Sequence, residues 1–162
     1  MRFVFLFDYA FYWGVFVVAG LFLARCMSIS SYGVLASIVI VGFLLLNISN
    51  ALVIQPLQIG VAKFSKAKRY NSFTFFIEIG LAITCIFLGL AFDLLNLSKE
   101  ILPKSLQESV GSNFGLLAGL MLSGWIIHDY LRKLFLANDK PEHSILIDSI
   151  FATTFIVQLG LA

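Results

Sequence analysis

Five long apolar stretches run along the chain: Phe3 to Ala24, Gly33 to about Val61, Phe73 to Leu95, Phe114 to about Leu136, and Ser144 to Ala162. A bilayer core about 30 Å thick needs about 20 apolar residues at about 1.5 Å each, and each stretch is of that order. No other feature limits the fold as strongly. In hydrocarbon every backbone N–H and C=O must find a partner, and an α-helix supplies all of them within one segment. The expected fold class is therefore all-α: a polytopic transmembrane helix bundle of about five helices, forming one domain over residues 1–162.

Composition agrees. Apolar residues make up 60% of the chain, charged residues 12%, and the mean hydropathy is +0.97. Soluble domains carry about 45–50% apolar and about 25% charged residues, so this chain cannot coat a globule with a solvated surface. A soluble enzyme, a disordered chain and a disulfide scaffold are excluded on this basis. The net charge of +2 is too small to indicate nucleic acid as a partner. Cys26 and Cys85 lack neighbours at ligand spacing and read as small hydrophobes. The partner the composition does imply is the lipid bilayer.

The first stretch is too long for a signal peptide and has no small-residue cleavage site, so it reads as a span. The second is the longest and contains Pro56, which lacks a backbone donor; a bend is expected near Gln55 and Pro56. Asn71 and Ser72 before the third stretch, and Asn96 to Ser98 after it, have the character of caps and turns.

Loops alternate between two sides. The N-terminus, Lys63–Asn71 and Asn138–His143 share one; Arg25–Tyr32 and Asn96–Asn113 share the other. Counting adjoining helix ends, the first side carries Arg2, Lys63, Lys66, Lys68, Arg69, Arg132, Lys133 and Lys140, and the second only Arg25, Lys99 and Lys104. By the positive-inside rule the N-terminus is cytoplasmic.

Charged groups within apolar stretches are costly, and each is a functional candidate. Asp8, Glu78, Asp129 and Asp148 all fall in the cytoplasmic half of their helices in this layout. Arg132 follows Asp129 at ion-pair spacing, and Asn50 and Gln55 add polar groups to the second helix. One reading is a water-filled vestibule open to the cytoplasm. The other is that Asp8, Asp148 and Arg132 snorkel to the interface, while Asp129 and Arg132 form a structural pair. Glu78, flanked by Phe75, Phe76, Ile77 and Ile79, is the strongest single candidate. Gly111, Gly115, Gly119 and Ser123 recur every four residues and form a stripe that lets helices approach closely. Trp125 falls mid-span and reads as a packing residue.

The chain has no Walker A loop, no zinc-protease motif and no nucleophile elbow. It is read as a non-enzyme without cofactors. An intramembrane enzyme with paired carboxylates would need two of those carboxylates facing each other.

Several segments resemble bacterial polysaccharide repeat-unit flippases of the multidrug, oligosaccharidyl-lipid and polysaccharide exporter superfamily. They are Ala24-Arg25-Cys26-Met27-Ser28 with Tyr32-Gly33-Val34-Leu35-Ala36-Ser37, Gln55-Pro56-Leu57, and the run Asp129 to Pro141. The resemblance implies a carrier that moves polyprenyl-diphosphate-linked oligosaccharides across the bacterial inner membrane by alternating access, for O-antigen or other surface polysaccharide. It also implies two helical lobes, of which this chain would be an incomplete N-terminal one, and other membrane subunits such as a polysaccharide polymerase as partners. On that reading Arg25 and Arg132 pair with the diphosphate, since guanidinium matches phosphate geometry. Asp8, Arg25, Asn50, Gln55, Glu78, Asp129, Arg132 and Asp148 are the substrate-path candidates. The alternatives are a multidrug antiporter of the same superfamily and a non-catalytic multi-pass partner subunit acting through the glycine stripe.

Overall fold

The computed structural model describes residues 20–63, 67–97, 113–138 and 140–161, with positions 10, 14, 17, 18, 100, 102, 104 and 107. Every regular element among them is helical and none is a strand, so the molecule is an all-α helix bundle. Residues 20–26 are helical. After them come α1 (Ile29–Ser49), a π-helical turn (Asn50–Ile54), α2 (Gln55–Lys63), α3 (Ala67–Leu94), α4 (Phe114–Ala137) and α5 (Pro141–Leu161). Three spans are long and apolar enough to cross a membrane: Ile29–Ile59, Asn71–Leu94 and Phe114–Ala137. The protein is membrane-embedded. Asp8 and more than half of the expected first span lie outside the described residues.

The helix ends follow from local chemistry. Ser28 has extended backbone, and its side chain accepts the Ser31 N–H at 3.2 Å, a standard N-cap for α1. Where the sequence predicts a bend, the helix does not stop. It widens instead into a π-helical turn of five residues, in which the Gln55 N–H reaches back to the Asn50 carbonyl. Proline is tolerated in a span because such local adjustments satisfy the backbone groups it strands.

The helix α3 begins at Ala67, so Asn71 and Ser72 lie inside it rather than capping it. Lys68 and Arg69 are good helix formers, and the helix runs on past the apolar stretch. It ends at Leu94, and two residues on, Asn96 has a left-handed φ of 55°, which asparagine is one of the few residues to adopt readily. The helix α5 starts at Pro141, ahead of the expected Ser144, because proline suits the first helical position.

The chain divides into two compact units, Met27–Tyr130 and Met1–Cys26 with Leu131–Ala162, the boundary falling inside α4. In the Met27–Tyr130 unit α4 packs on both α1 and α3. A Cβ on Gly42 would lie 2.5 Å from the Trp125 ring, and Phe43 meets that ring edge-on at 5.1 Å. Trp125 is thus a packing residue, as its mid-span position indicates. Against α3 the contact is tighter still. A Cβ on Gly89 would run into the Gly115 carbonyl, and one on Gly119 would lie 2.6 Å from the Cys85 carbonyl. The stripe expected from the sequence is therefore filled at Gly115 and Gly119 by α3 of the same chain. The carboxylate of Asp93 completes this seam, accepting the N–H groups of Gly115 at 2.7 Å and Leu116 at 2.8 Å. These belong to the first turn of α4, where donors lack intrahelical partners and negative charge is favoured.

The outer faces stay apolar. Ile40 and Leu44 on α1, Leu52 in the π-helical turn, and Phe76, Phe87 and Leu88 on α3 are all exposed, as lipid-facing side chains should be.

Candidate functional site

Below the glycine seam, the inner face of α3 changes character. Ala82, Cys85 and Gly89 line the close-packed half of this helix face. Thr74 and Glu78, four residues apart and so stacked on one side of the helix, continue it toward the N-terminal end of α3. Both are buried, while Phe75, Phe76 and Ile77 between them point outward. Glu78 is 1% exposed.

Its partner comes from α1. The Ser49 hydroxyl, itself buried, donates to Glu78 Oε1. Ser49 is the last residue of α1, so this hydrogen bond sits on the edge of the π-helical turn. One turn away, Thr74 Oγ1 and the Tyr130 hydroxyl are 3.0 Å apart. Both hydroxyls reach the Asn71 carbonyl, at 3.0 Å from Thr74 and 3.1 Å from Tyr130. Tyr130 also packs against Phe75, with ring centroids 6.0 Å apart. Three helices therefore each give a hydroxyl to one buried polar cluster, in a setting where an unsatisfied polar group would cost several kcal/mol. The Ser49 hydroxyl can rotate to donate to the Glu78 carboxyl group or to accept from it.

A second polar contact lies in the other unit. Arg132 Nε on α4 is 3.2 Å from Asp148 Oδ2 on α5. Arg132 and Asp148 are both buried, as is Ser144, one turn before Asp148 on the same helix.

The structure sorts the residues singled out in the sequence. It brings together Arg132 and Asp148, a pairing that the spacing of Asp129 and Arg132 does not anticipate. It places Glu78 in the cluster just described. Asn50 is half-buried and opens the π-helical turn, whereas Gln55, at its far edge, is exposed. Arg25 is exposed at the end of the helical segment 20–26. Asp129 is buried beside Tyr130 in sequence. Glu78, Asp129, Arg132 and Asp148 are each at most 5% exposed.

Ser49, Thr74, Tyr130 and Asp93 are the additions that sequence reasoning missed. Hydroxyl residues are ordinary in membrane helices, and nothing local distinguishes the ones that meet a carboxylate on another helix. Among the described residues, no three His, Cys, Asp or Glu side chains are grouped to hold a metal ion. Comparison with models of known protein families, with curated proteins and with solved structures gives no match.

Proposed function

We propose that this membrane-embedded chain works as, or as part of, a carrier that moves lipid-linked oligosaccharide repeat units across the bacterial inner membrane by alternating access, with its N-terminus in the cytoplasm. The observation that carries the reading is the buried Glu78 cluster. Placing a carboxyl group inside a membrane span is expensive, and in such proteins it marks pathways and relays. Carriers place their sites between helices, and Glu78, on α3 within the Asn71–Leu94 span, is hydrogen-bonded to Ser49 of α1. The flippase-like segments around Arg25, Gln55 and Asp129–Pro141 supply the substrate class.

The reading as a partner subunit docking through the glycine stripe has less support, because α3 already occupies Gly115 and Gly119.

The test is genetic. The gene is deleted in its own host, and its full reading frame is returned as wild type, Glu78→Ala or Glu78→Gln. The expected result is loss of surface polysaccharide and accumulation of lipid-linked repeat units in the deletion. Wild type restores both, and Glu78→Ala restores them at least about tenfold less well, the effect of about 1.4 kcal/mol at a critical step. Unchanged polysaccharide in the deletion overturns the reading. Altered drug sensitivity alone would then point to the multidrug antiporter.

A further inference from the structure

We propose that the π-helical turn Asn50–Ile54 is a hinge in the first long span, and that the Ser49–Glu78 hydrogen bond is the latch that holds it in the conformation seen here. The two features are adjacent. Ser49 is the last α-helical residue before the turn, and its hydroxyl is fastened to α3. Gln55, the first residue after the turn, still bonds back to Asn50 across the wider ring. Pro56 follows at once and brings no N–H, so the ladder lacks an α-helical donor for the Leu52 carbonyl. The backbone is therefore weakest over about one turn. Isolated π-turns interrupt helices mostly at functional sites, and they are among the few identifiable causes of sharp bends.

The side chains on either side of this weak point differ in how they are held. Above it, α1 is locked by Gly42 against Trp125. At it, the buried Ser49–Glu78 hydrogen bond ties the chain to α3. Val53, Ile54 and Leu57 are buried and apolar, and the packing they give is less directional than a hydrogen bond. Breaking the latch thus releases α2 to swing while the upper part of α1 stays packed. Hinges of this kind are short and lie at the ends of elements. For its purpose, opening one side of a pathway, the hinge rests on the carrier reading; its existence does not.

The experiment measures distances in the full chain, reconstituted in lipid, with Cys26→Ser and Cys85→Ala removing the native thiols. One spin-label pair sits below the turn, at Ile59→Cys and Phe76→Cys. A second sits above it, at Ile40→Cys and Phe87→Cys. All four positions are exposed. With the latch intact, the lower pair shows one dominant distance. In Ser49→Ala and in Glu78→Leu a second population, several ångströms displaced, rises by about tenfold, as expected for loss of one buried hydrogen bond. Glu78→Gln keeps an acceptor and behaves as wild type. The upper pair is unchanged throughout. An unmoved lower pair in both latch variants overturns the proposal, as does equal movement of both pairs, which would indicate general loosening.

A measurement on the unmutated chain stands beside it. Amides of residues 50–55 exchange with solvent deuterium faster than those of residues 40–46; equal protection overturns the hinge. A hinge found in a chain whose deletion leaves polysaccharide intact keeps this proposal and removes the carrier reading. The converse result separates them the other way.

Discussion

Gly89, Gly115 and Gly119 do at the residue scale what no larger side chain can: they let two helix backbones touch. An alanine at Gly89 would drive its Cβ into the carbonyl of Gly115, and backbone atoms cannot step aside as a flexible side chain would. Gly89→Ala is expected to cost about 1–3 kcal/mol, the usual penalty for overpacking, and to lower the thermal unfolding temperature in detergent. Gly80→Ala is the internal control, since its Cβ meets nothing within 4 Å and alanine is the better helix former. Equal melting of the two variants would mean that the close crossing is absent. Residue chemistry was also where the sequence spoke most clearly. A carboxylate among Phe75, Phe76, Ile77 and Ile79 marks Glu78 without any structure, and the four-residue period marks the stripe. Ser49, 29 positions away, could not be read as its partner, because the contact depends on how α1 and α3 are rotated about their axes, and hydropathy does not encode that.

Among the elements, the long apolar stretches were legible because hydrocarbon leaves the chain few choices. Their ends were not. The helix α3 starts at Ala67 and α5 at Pro141 because polar helix formers and an N-terminal proline extend a helix beyond the apolar part. Pro56 announced a disturbance, yet nothing in the apolar pattern distinguishes a π-turn, which the structure has at Asn50–Ile54, from a stop. The ion pair between α4 and α5 is a similar case. Sequence spacing pointed along α4 to Asp129, and the structure adds a partner from the next helix, Asp148. Removing one member leaves an enclosed charge uncompensated. Arg132→Ala or Asp148→Ala is therefore expected to cost about 3–5 kcal/mol, whereas the double replacement Arg132→Met with Asp148→Leu is expected to cost less than the sum of the two single changes, because it removes both members of the pair together. Thermal unfolding of the single and double variants in detergent measures this directly. A double variant as unstable as the sum of the singles would show that the two groups act separately.

For the whole molecule, the three spans are not alike. Ile29–Ile59 and Asn71–Leu94 each reach a mean hydropathy of 2.3 with 11% and 17% of the window buried, while Phe114–Ala137 reaches only 1.3 with 44% buried. The least greasy helix is the one most wrapped by protein. That difference has a consequence for how the chain is made. A segment bearing Asp129, Arg132 and Lys133 partitions less readily into lipid when judged alone, since a charge costs up to about 2.5–3.5 kcal/mol on insertion at a helix centre and less toward its ends. The ribosome delivers α1 and α3 before α4, so the glycine-lined seam on α3 is already in the bilayer when α4 emerges. Membrane entry of α4 is then a paired event, with α3 acting as its chaperone within the same polypeptide. In a glycosylation-mapping assay with microsomes, residues 114–137 alone should insert in a minority of chains and residues 67–137 in a majority. Gly89→Ala should erase much of that gain, and biogenesis, not only stability, would then explain why the seam is built of glycine.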